Sequence, residues 1–212
     1  MPRSPPGGIG GWHREADAAP APEAGSIPLV KLDRTTPLHL RHWGRRDLPA
    51  VIEARASPEM ERQFPRRNDS LKSADQWLEW AGGLTSRDAG FAFAVCADDD
   101  LPLANIAVTN LDDHDTGWVS YWTTGRARGL GIAAEALATL VPWLHDEAGI
   151  ERLELGHRVN NPASGAVAEK AGFLKEGIER GKLRYDGVRY DTARWARLTD
   201  DPRVPVPERV RV

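Results

Sequence analysis

The stretch YWTTGRARGLGIAAE, Tyr121 to Glu135, reads as a strand that runs into a glycine-rich turn and from there into a helix. Within it Arg128, Gly129, Leu130, Gly131, Ile132 and Ala133 bring small side chains that let several backbone N–H groups converge. The helix that follows turns its positive end towards the same point, so a diphosphate can be held by main chain alone. The spacing Arg-x-x-Gly-x-Ala at Arg128, Gly131 and Ala133 is neither Gly-x-Gly-x-x-Gly nor Gly-x-x-x-x-Gly-Lys-Ser/Thr, and no lysine follows to meet a γ-phosphate. Dinucleotide and nucleoside-triphosphate sites therefore lose support. Taken alone, the turn is equally compatible with an ordinary helix start, and its neighbours decide the matter.

Beyond the turn, Ala133, Leu137, Leu140, Leu144 and Ala148 share one helical face, and Gly149 marks the end. Pro142 removes an intrahelical donor and predicts a bend there or an early end to regular helix. Upstream, strands at about Phe91 to Ala97, Leu103 to Thr109 and Gly117 to Thr123 are separated by acidic turns and form an antiparallel meander. Before them come a strand at Thr36 to His42 and helices at Asp47 to Ala56 and Ser73 to Trp80. Downstream, Glu151 to His157 alternates as a strand. Asn161 and Pro162 make an N-cap and first-turn pair for a short helix that closes at Gly172. Phe173 opens another strand, and a last one covers about Arg189 to Leu198. Residues 1–28, rich in Pro, Gly and Ala, are expected as a flexible tail, 29–199 as the folded domain and 200–212 as a C-terminal tail.

The chain has 212 residues, enough for one well-buried domain. Its 28 Lys and Arg against 31 Asp and Glu give a net charge of −3, which offers no basic excess for a run of phosphates, so nucleic acid is not expected as a partner. The single cysteine, Cys96, lies in the apolar run FAFAVC, cannot form an intrachain disulfide and fits a reducing cytoplasm. No apolar stretch reaches the roughly 18 residues of a membrane span, and the N-terminus lacks the apolar segment of a secretion signal. A cytoplasmic protein without membrane contact is the expectation, as a monomer or homodimer.

Two helix N-termini, at the glycine turn and at Asn161, each follow a strand, and the two strands can lie side by side. A groove between them suits a long thin ligand with a diphosphate at one end. With YWTTGRARGLGIAAEAL followed by NNPASGAVAEKAGFLKEG, the chain resembles the GNAT superfamily of acyl-CoA-dependent N-acyltransferases, and within it the RimJ/RimL type. The likeness covers roughly Thr36 to Leu198. A register at Arg126, Gly129 and Gly131 also meets the loose motif, but the downstream Ala-x-Glu-Ala fits only the Arg128 register.

The resemblance implies an α+β fold, with a mixed, mostly antiparallel sheet of about six to seven strands flanked by helices and splayed in a V between its two central strands. It implies that Arg128 to Ala133 bind the pyrophosphate of acetyl-CoA, the co-substrate. Tyr121, Trp122 and Thr123 would contact the pantetheine and thioester through backbone groups, with an N–H near Trp122 or Thr123 steadying the oxyanion. Asn161 and Ser164 match the family's Asn-x-x-Ser. The reaction implied is transfer of acetyl directly to a primary amine, a protein or peptide N-terminus for the RimJ/RimL type. The alternatives are a small-molecule acceptor such as an antibiotic or polyamine, and a non-catalytic acyl-CoA-binding module.

Such a transfer needs a neutral amine, a stabilised oxyanion and a proton for the departing thiolate. Ser164, in the first turn after the Asn161 cap, can supply the last; its bland role is helix-start hydrogen bonding. Many relatives carry a tyrosine acid where this chain has Ala168, which shifts that task to Ser164 or water. No carboxylate is nominated as base, because Trp118 stands where relatives often carry an acidic residue. An α-amino group, with a reference pKa of about 8 against about 10.4 for lysine, is the acceptor more often neutral near pH 7.

No metal is expected. His39 and His42, three apart on a strand, point to opposite faces, and the run Asp112, Asp113, His114, Asp115 lacks the EF-hand glycine and glutamate. The eight tryptophans read as mostly core, some lining an acceptor pocket with Phe64 near its edge.

Overall fold

The structure is a computed structural model that describes residues 32–58, 60, 74–206 and 208–211. Residues 1–28 and Phe64 lie outside this range. Among the described residues the chain forms β1 (Leu38–His42), α1 (Leu48–Arg55), α2 (Ala74–Gly82), β2 (Gly90–Cys96), β3 (Pro102–Thr109), β4 (Thr116–Thr123), α3 (Ile132–Asp146), β5 (Arg152–Arg158), α4 (Pro162–Lys170), β6 (Leu174–Tyr185), β7 (Val188–Leu198) and β8 (Val210–Arg211).

The strands make one sheet in the order β6-β7-β5-β4-β3-β2-β1-β8. Strands β2 to β4 are the antiparallel meander that the alternating runs and acidic turns predict, and β1 adds antiparallel to β2. At the β3–β4 turn, Asp112 Oδ1 accepts the N–H groups of His114 and Thr116, both at 3.0 Å, so this run closes a hairpin on its own backbone. From β4 the chain crosses over through α3 and returns as β5, parallel to β4. Strand β7 pairs antiparallel with β5 and with β6.

The sequence reading ends the sheet at Leu198, and here it is corrected. The segment expected as a C-terminal tail, residues 200–212, returns to the sheet: Val210 and Arg211 pair in parallel with Leu38 and His39. Val210 is buried in the main core. Two residues are too short a run to show strand periodicity, so local pattern gave no signal for β8.

Of the two outcomes expected at Pro142, the early end is corrected too, because α3 continues through the proline to Asp146. Leu140, Val141 and Leu144 flank the proline and are fully buried. Burial is worth about 1.5–3 kcal/mol per large apolar side chain, which together outweighs the roughly 3 kcal/mol a mid-helix proline costs. The helix closes as the sequence implies: Gly149 takes a left-handed φ of 70° and Ile150 N–H reaches back to Leu144 O at 3.0 Å.

The two faces of the sheet carry separate cores. Helices α3 and α4 cover one of them with Leu137, Leu140, Leu144, Leu153, Leu155 and their neighbours. On the other, α1 and α2 cover a tryptophan cluster in which the rings of Trp43 and Trp77 both pack against Trp122, at 5.5 and 5.6 Å between centroids. Trp43 Nε1 donates to the buried Asn105 Oδ1 at 2.9 Å, which satisfies the one polar group that this cluster buries from β3.

Candidate active site

The ladder between β4 and β5 consists of the pairs Thr116 with Arg152, Gly117 with Leu153 and Trp118 with Glu154, and stops there. From Val119 to Thr123, β4 keeps its partner β3 but has left β5. From Leu155 to Arg158, β5 keeps β7 but has left β4. Two facing strand edges with unpaired backbone groups thus diverge towards the helix starts that follow them, which is the V-shaped splay. Each divergent edge offers donors and acceptors to an extended ligand.

Strand β4 is stopped by Thr124, fully buried, whose N–H and Oγ both reach Leu103 O at 2.8 and 3.1 Å. A single 3-10 turn, Gly125–Ala127, then leads into the glycine turn. Gly129 and Gly131 hold φ of 76° and 81°, a region that costs an L residue about 1–2 kcal/mol. A Cβ at Gly129 would meet nothing within 4 Å, whereas one at Gly131 would lie 2.9 Å from Glu135 Oε1. Ile132 and Ala133 are buried in the first turn of α3, where N–H groups have no intrahelical acceptor.

The side chain of the motif's arginine has a partner outside the turn. Arg128 donates to Ser57 Oγ, just beyond α1, at 2.8 Å, so its guanidinium ties the turn to the opposite side of the sheet. Two further arginines, one near each end of the described residues, hold the carbonyls of the turn. Arg34 donates to Gly129 O at 3.2 Å and Arg209 to Leu130 O at 2.9 Å. Sequence reading missed both, since neither sits in a motif.

At the second helix start, Asn161 Oδ1 accepts Ser164 N–H at 3.4 Å, the cap that the Asn-Pro pair predicts. Ser164 Oγ lies 2.9 Å from Tyr121 Oη, and Tyr121 Oη also donates to Ser164 O at 2.8 Å. Burial pushes the Tyr121 phenol up to about 12, against the opposing pull of the Ser164 hydrogen bond, so the phenol keeps its proton. The sequence pointed to Tyr121 for its backbone; its hydroxyl, meeting Ser164 across the splay, is a further polar group at the site.

Beside this pair, His157 Nε2 accepts the indole N–H of Trp195 at 3.0 Å, and its Nδ1 lies 2.9 Å from Arg158 O. An indole N–H only donates and a carbonyl only accepts, so both ring nitrogens are engaged in one neutral tautomer. On the other face of β5, Glu154 accepts from Arg152 Nε at 2.8 Å and Arg194 at 2.5 Å. The Arg194 guanidinium stacks over Trp118 at 4.5 Å from its centroid. Each ring nitrogen of the histidine and each oxygen of this carboxylate thus has a hydrogen-bond partner.

His39 and His42 do face opposite ways: His39 Nε2 meets Asp100 Oδ1 at 3.0 Å, and His42 stacks on Phe93 at 5.3 Å. Ligand-type atoms of His39, Cys96 and Asp100 come within 4.8 Å of one another. Asp100, however, is bound by Arg41 at 2.6 Å and Arg46 at 2.7 Å, and burial pushes the Cys96 thiol up to about 12. A carboxylate shared by two guanidiniums beside a protonated thiol is an ion-pair cluster, with little left for a cation.

A family model of the acetyltransferase (GNAT) domain matches residues 37–174. Among curated proteins, probable N-acetyltransferase YjcK of Bacillus subtilis (strain 168) is 36% identical over 86 residues, covering 41% of this chain and 48% of that protein. Putative ribosomal N-acetyltransferase YdaF of the same organism is 31% identical over 123 residues, 58% of this chain and 64% of that protein. The chain thus spans between about half and two thirds of the length of these relatives. Among solved structures, the ribosomal alpha-N-protein acetyltransferase RimL in complex with coenzyme A superimposes with a TM-score of 0.68 at 22% identity, covering 78% of this chain and 96% of that one. At this identity the likeness speaks for the fold.

Proposed function

The chain belongs to the acetyltransferase (GNAT) domain family, and from that membership we propose that it is an N-acetyltransferase that moves acetyl from acetyl-CoA directly to a primary amine, with a protein or peptide N-terminal α-amine as acceptor. The observation that carries the reading is the ladder between β4 and β5, which ends at Trp118 and Glu154 and opens towards a glycine turn on one side and Ser164 on the other.

The residues present fit the co-substrate. In this reading the backbone of Gly129 to Ala133 receives the pyrophosphate, at glycines whose φ values of 76° and 81° suit a close main-chain approach. The buried Nε of Arg126, without a partner among the described residues, adds a donor next to the turn. The divergent edge at Tyr121, Trp122 and Thr123 receives the pantetheine. Acetyl-CoA, when bound, supplies the thioester carbonyl and a thiolate leaving group.

Ser164 then relays a proton to the thiolate: its own proton goes to the sulfur, and the proton that the acceptor nitrogen loses as the amide forms restores the hydroxyl, directly or through water. Its hydroxyl has one proton, and while Tyr121 Oη–H points at Ser164 O, that proton is directed at Tyr121. Rotation of both hydroxyls turns Ser164 towards the sulfur and lets Tyr121 donate to Ser164 Oγ in its place. Asn161 fixes the helix start that carries Ser164. Both oxygens of Glu154 are engaged by arginines, and this reading assigns no carboxylate as base. That favours an acceptor already neutral near pH 7, and an α-amine meets this condition better than a lysine.

Thiol release from acetyl-CoA, followed with N-terminally free peptides, with the same peptides N-terminally blocked but carrying lysine, and with spermidine, tests the reading. Turnover with the free peptides is the expected result. Turnover confined to spermidine replaces the acceptor. Saturable coenzyme A binding without release for any amine leaves only an acyl-CoA-binding module.

A further inference from the structure

A main-chain anion site works only if its peptide planes are turned the right way. In a trans peptide the C=O of one residue and the N–H of the next point in opposite directions. Whatever holds the carbonyl therefore aims the following N–H. At Gly129 and Gly131, the absence of a Cβ leaves these planes freer to turn than any others in the segment. The carbonyls concerned are those of Gly129, held by Arg34 at 3.2 Å, and Leu130, held by Arg209 at 2.9 Å.

Arg209 is built into this place. Its Nε meets Glu135 Oε2 at 2.5 Å, its Nη1 donates to Asp33 O at 3.1 Å, and its side chain is only 11% exposed. Its own carbonyl accepts Leu38 N–H at 2.6 Å, and the next two residues form β8 against β1. One side chain thus joins Asp33 ahead of β1, the first turn of α3 and the glycine turn. Glu135 neutralises the guanidinium, so its contribution to the turn is orientation more than charge.

We propose that Arg209, with Arg34 in support, is a positioning residue for the diphosphate of the acyl donor: by holding Leu130 O and Gly129 O it aims the N–H groups of Gly131 and Leu130 at the ligand. The proposal rests on the reading that this turn takes the pyrophosphate of acetyl-CoA. It gives β8 a function beyond closing the sheet edge, because β8 delivers Arg209.

The test compares donors with and without a diphosphate, in wild type, Arg209→Gln and Arg34→Gln. Binding of coenzyme A and of 3′-dephospho-coenzyme A is measured by calorimetry, and turnover with acetyl-CoA and with S-acetyl-N-acetylcysteamine, which lacks the diphosphate. Arg209→Gln is expected to weaken both coenzyme A forms at least tenfold and raise the KM for acetyl-CoA alike, with kcat and the efficiency on the short thioester within twofold of wild type. Arg34→Gln, at an exposed side chain, gives a smaller loss of the same pattern and covers the case in which Arg209→Gln does not fold. Equal loss on both donors, or unchanged affinity in both variants, overturns the proposal. A wild type that binds coenzyme A but acetylates no amine removes the transferase reading and leaves the binding arm to decide this one. A wild type that binds no coenzyme A removes both.

Discussion

The hydroxyl of Tyr121 on β4 and that of Ser164 on α4 lie 2.9 Å apart, across the point where β4 and β5 part company. Each hydroxyl carries one proton, so the pair has two arrangements, and only one leaves the serine proton free for another acceptor. Removing either partner should therefore affect the chemical step more than binding. Ser164→Ala is expected to lower kcat by about 10²-fold, within the range for a positioned proton donor. Tyr121→Phe should lower it by roughly tenfold, and the double variant should be no worse than Ser164→Ala, since coupled residues are non-additive. Steady-state kinetics with the KM for acetyl-CoA unchanged would confirm this; additive losses would show that the two act separately.

Burial raises the Tyr121 phenol from 10.0 to about 12 in the folded protein, despite the opposing Ser164 hydrogen bond. A folded value above the unfolded one gives stability that is whole below pH 10 and is lost as pH rises towards 12, because only the unfolded chain ionises in between. The loss should reach about 2–3 kcal/mol. Urea midpoints from pH 8 to 12 should fall more steeply for wild type than for Tyr121→Phe. Parallel curves would refute the assignment.

Gly131 stands at φ 81° with Glu135 Oε1 2.9 Å from where a Cβ would be. Gly131→Ala should weaken coenzyme A about tenfold, since forcing an L residue into this region costs about 1–2 kcal/mol. Gly131→Glu adds a carboxylate beside Glu135 and the expected diphosphate, and should abolish measurable binding. Calorimetry at constant salt checks both, and wild-type affinity in Gly131→Glu would remove the turn from the ligand site.

Pro142 lies within an uninterrupted α3, where the carbonyl of Ala138 lacks its usual donor. Pro142→Ala restores that hydrogen bond and should stabilise the fold by about 1–2 kcal/mol, seen as a higher Tm with unchanged kinetics. A lower Tm would mean that the proline ring's own packing outweighs the missing bond.

The meander, the helix starts and the splay's flanking motifs were legible because each is written in residues a few positions apart. Alternation marks β2 to β4, Asn161 followed by Pro162 marks the start of α4, and paired glycines mark the turn before α3. The early helix end expected at Pro142 failed because a proline's cost is local, whereas the burial of Leu140, Val141 and Leu144 that overrides it depends on what the helix packs against. The glycine turn and the helix start at Asn161 could be read, but the contact of the Tyr121 phenol with Ser164 could not, since β4 is named by its backbone pattern and says nothing of what its side chains reach.

The sequence by itself determined that a glycine turn opens the long helix and which helix start carries a hydroxyl, since caps, left-handed glycines and amphipathic faces follow from short-range sterics and hydrogen bonding. Only the tertiary structure decided that β4 and β5 separate after Trp118, that Tyr121 meets Ser164 from 43 residues away and that Arg209 reaches Leu130 from 79 residues away. Such contacts join side chains on different elements, and their partners are chosen by how the sheet and helices pack. A lone arginine near the chain's end carries no periodicity or motif that could announce where it will land.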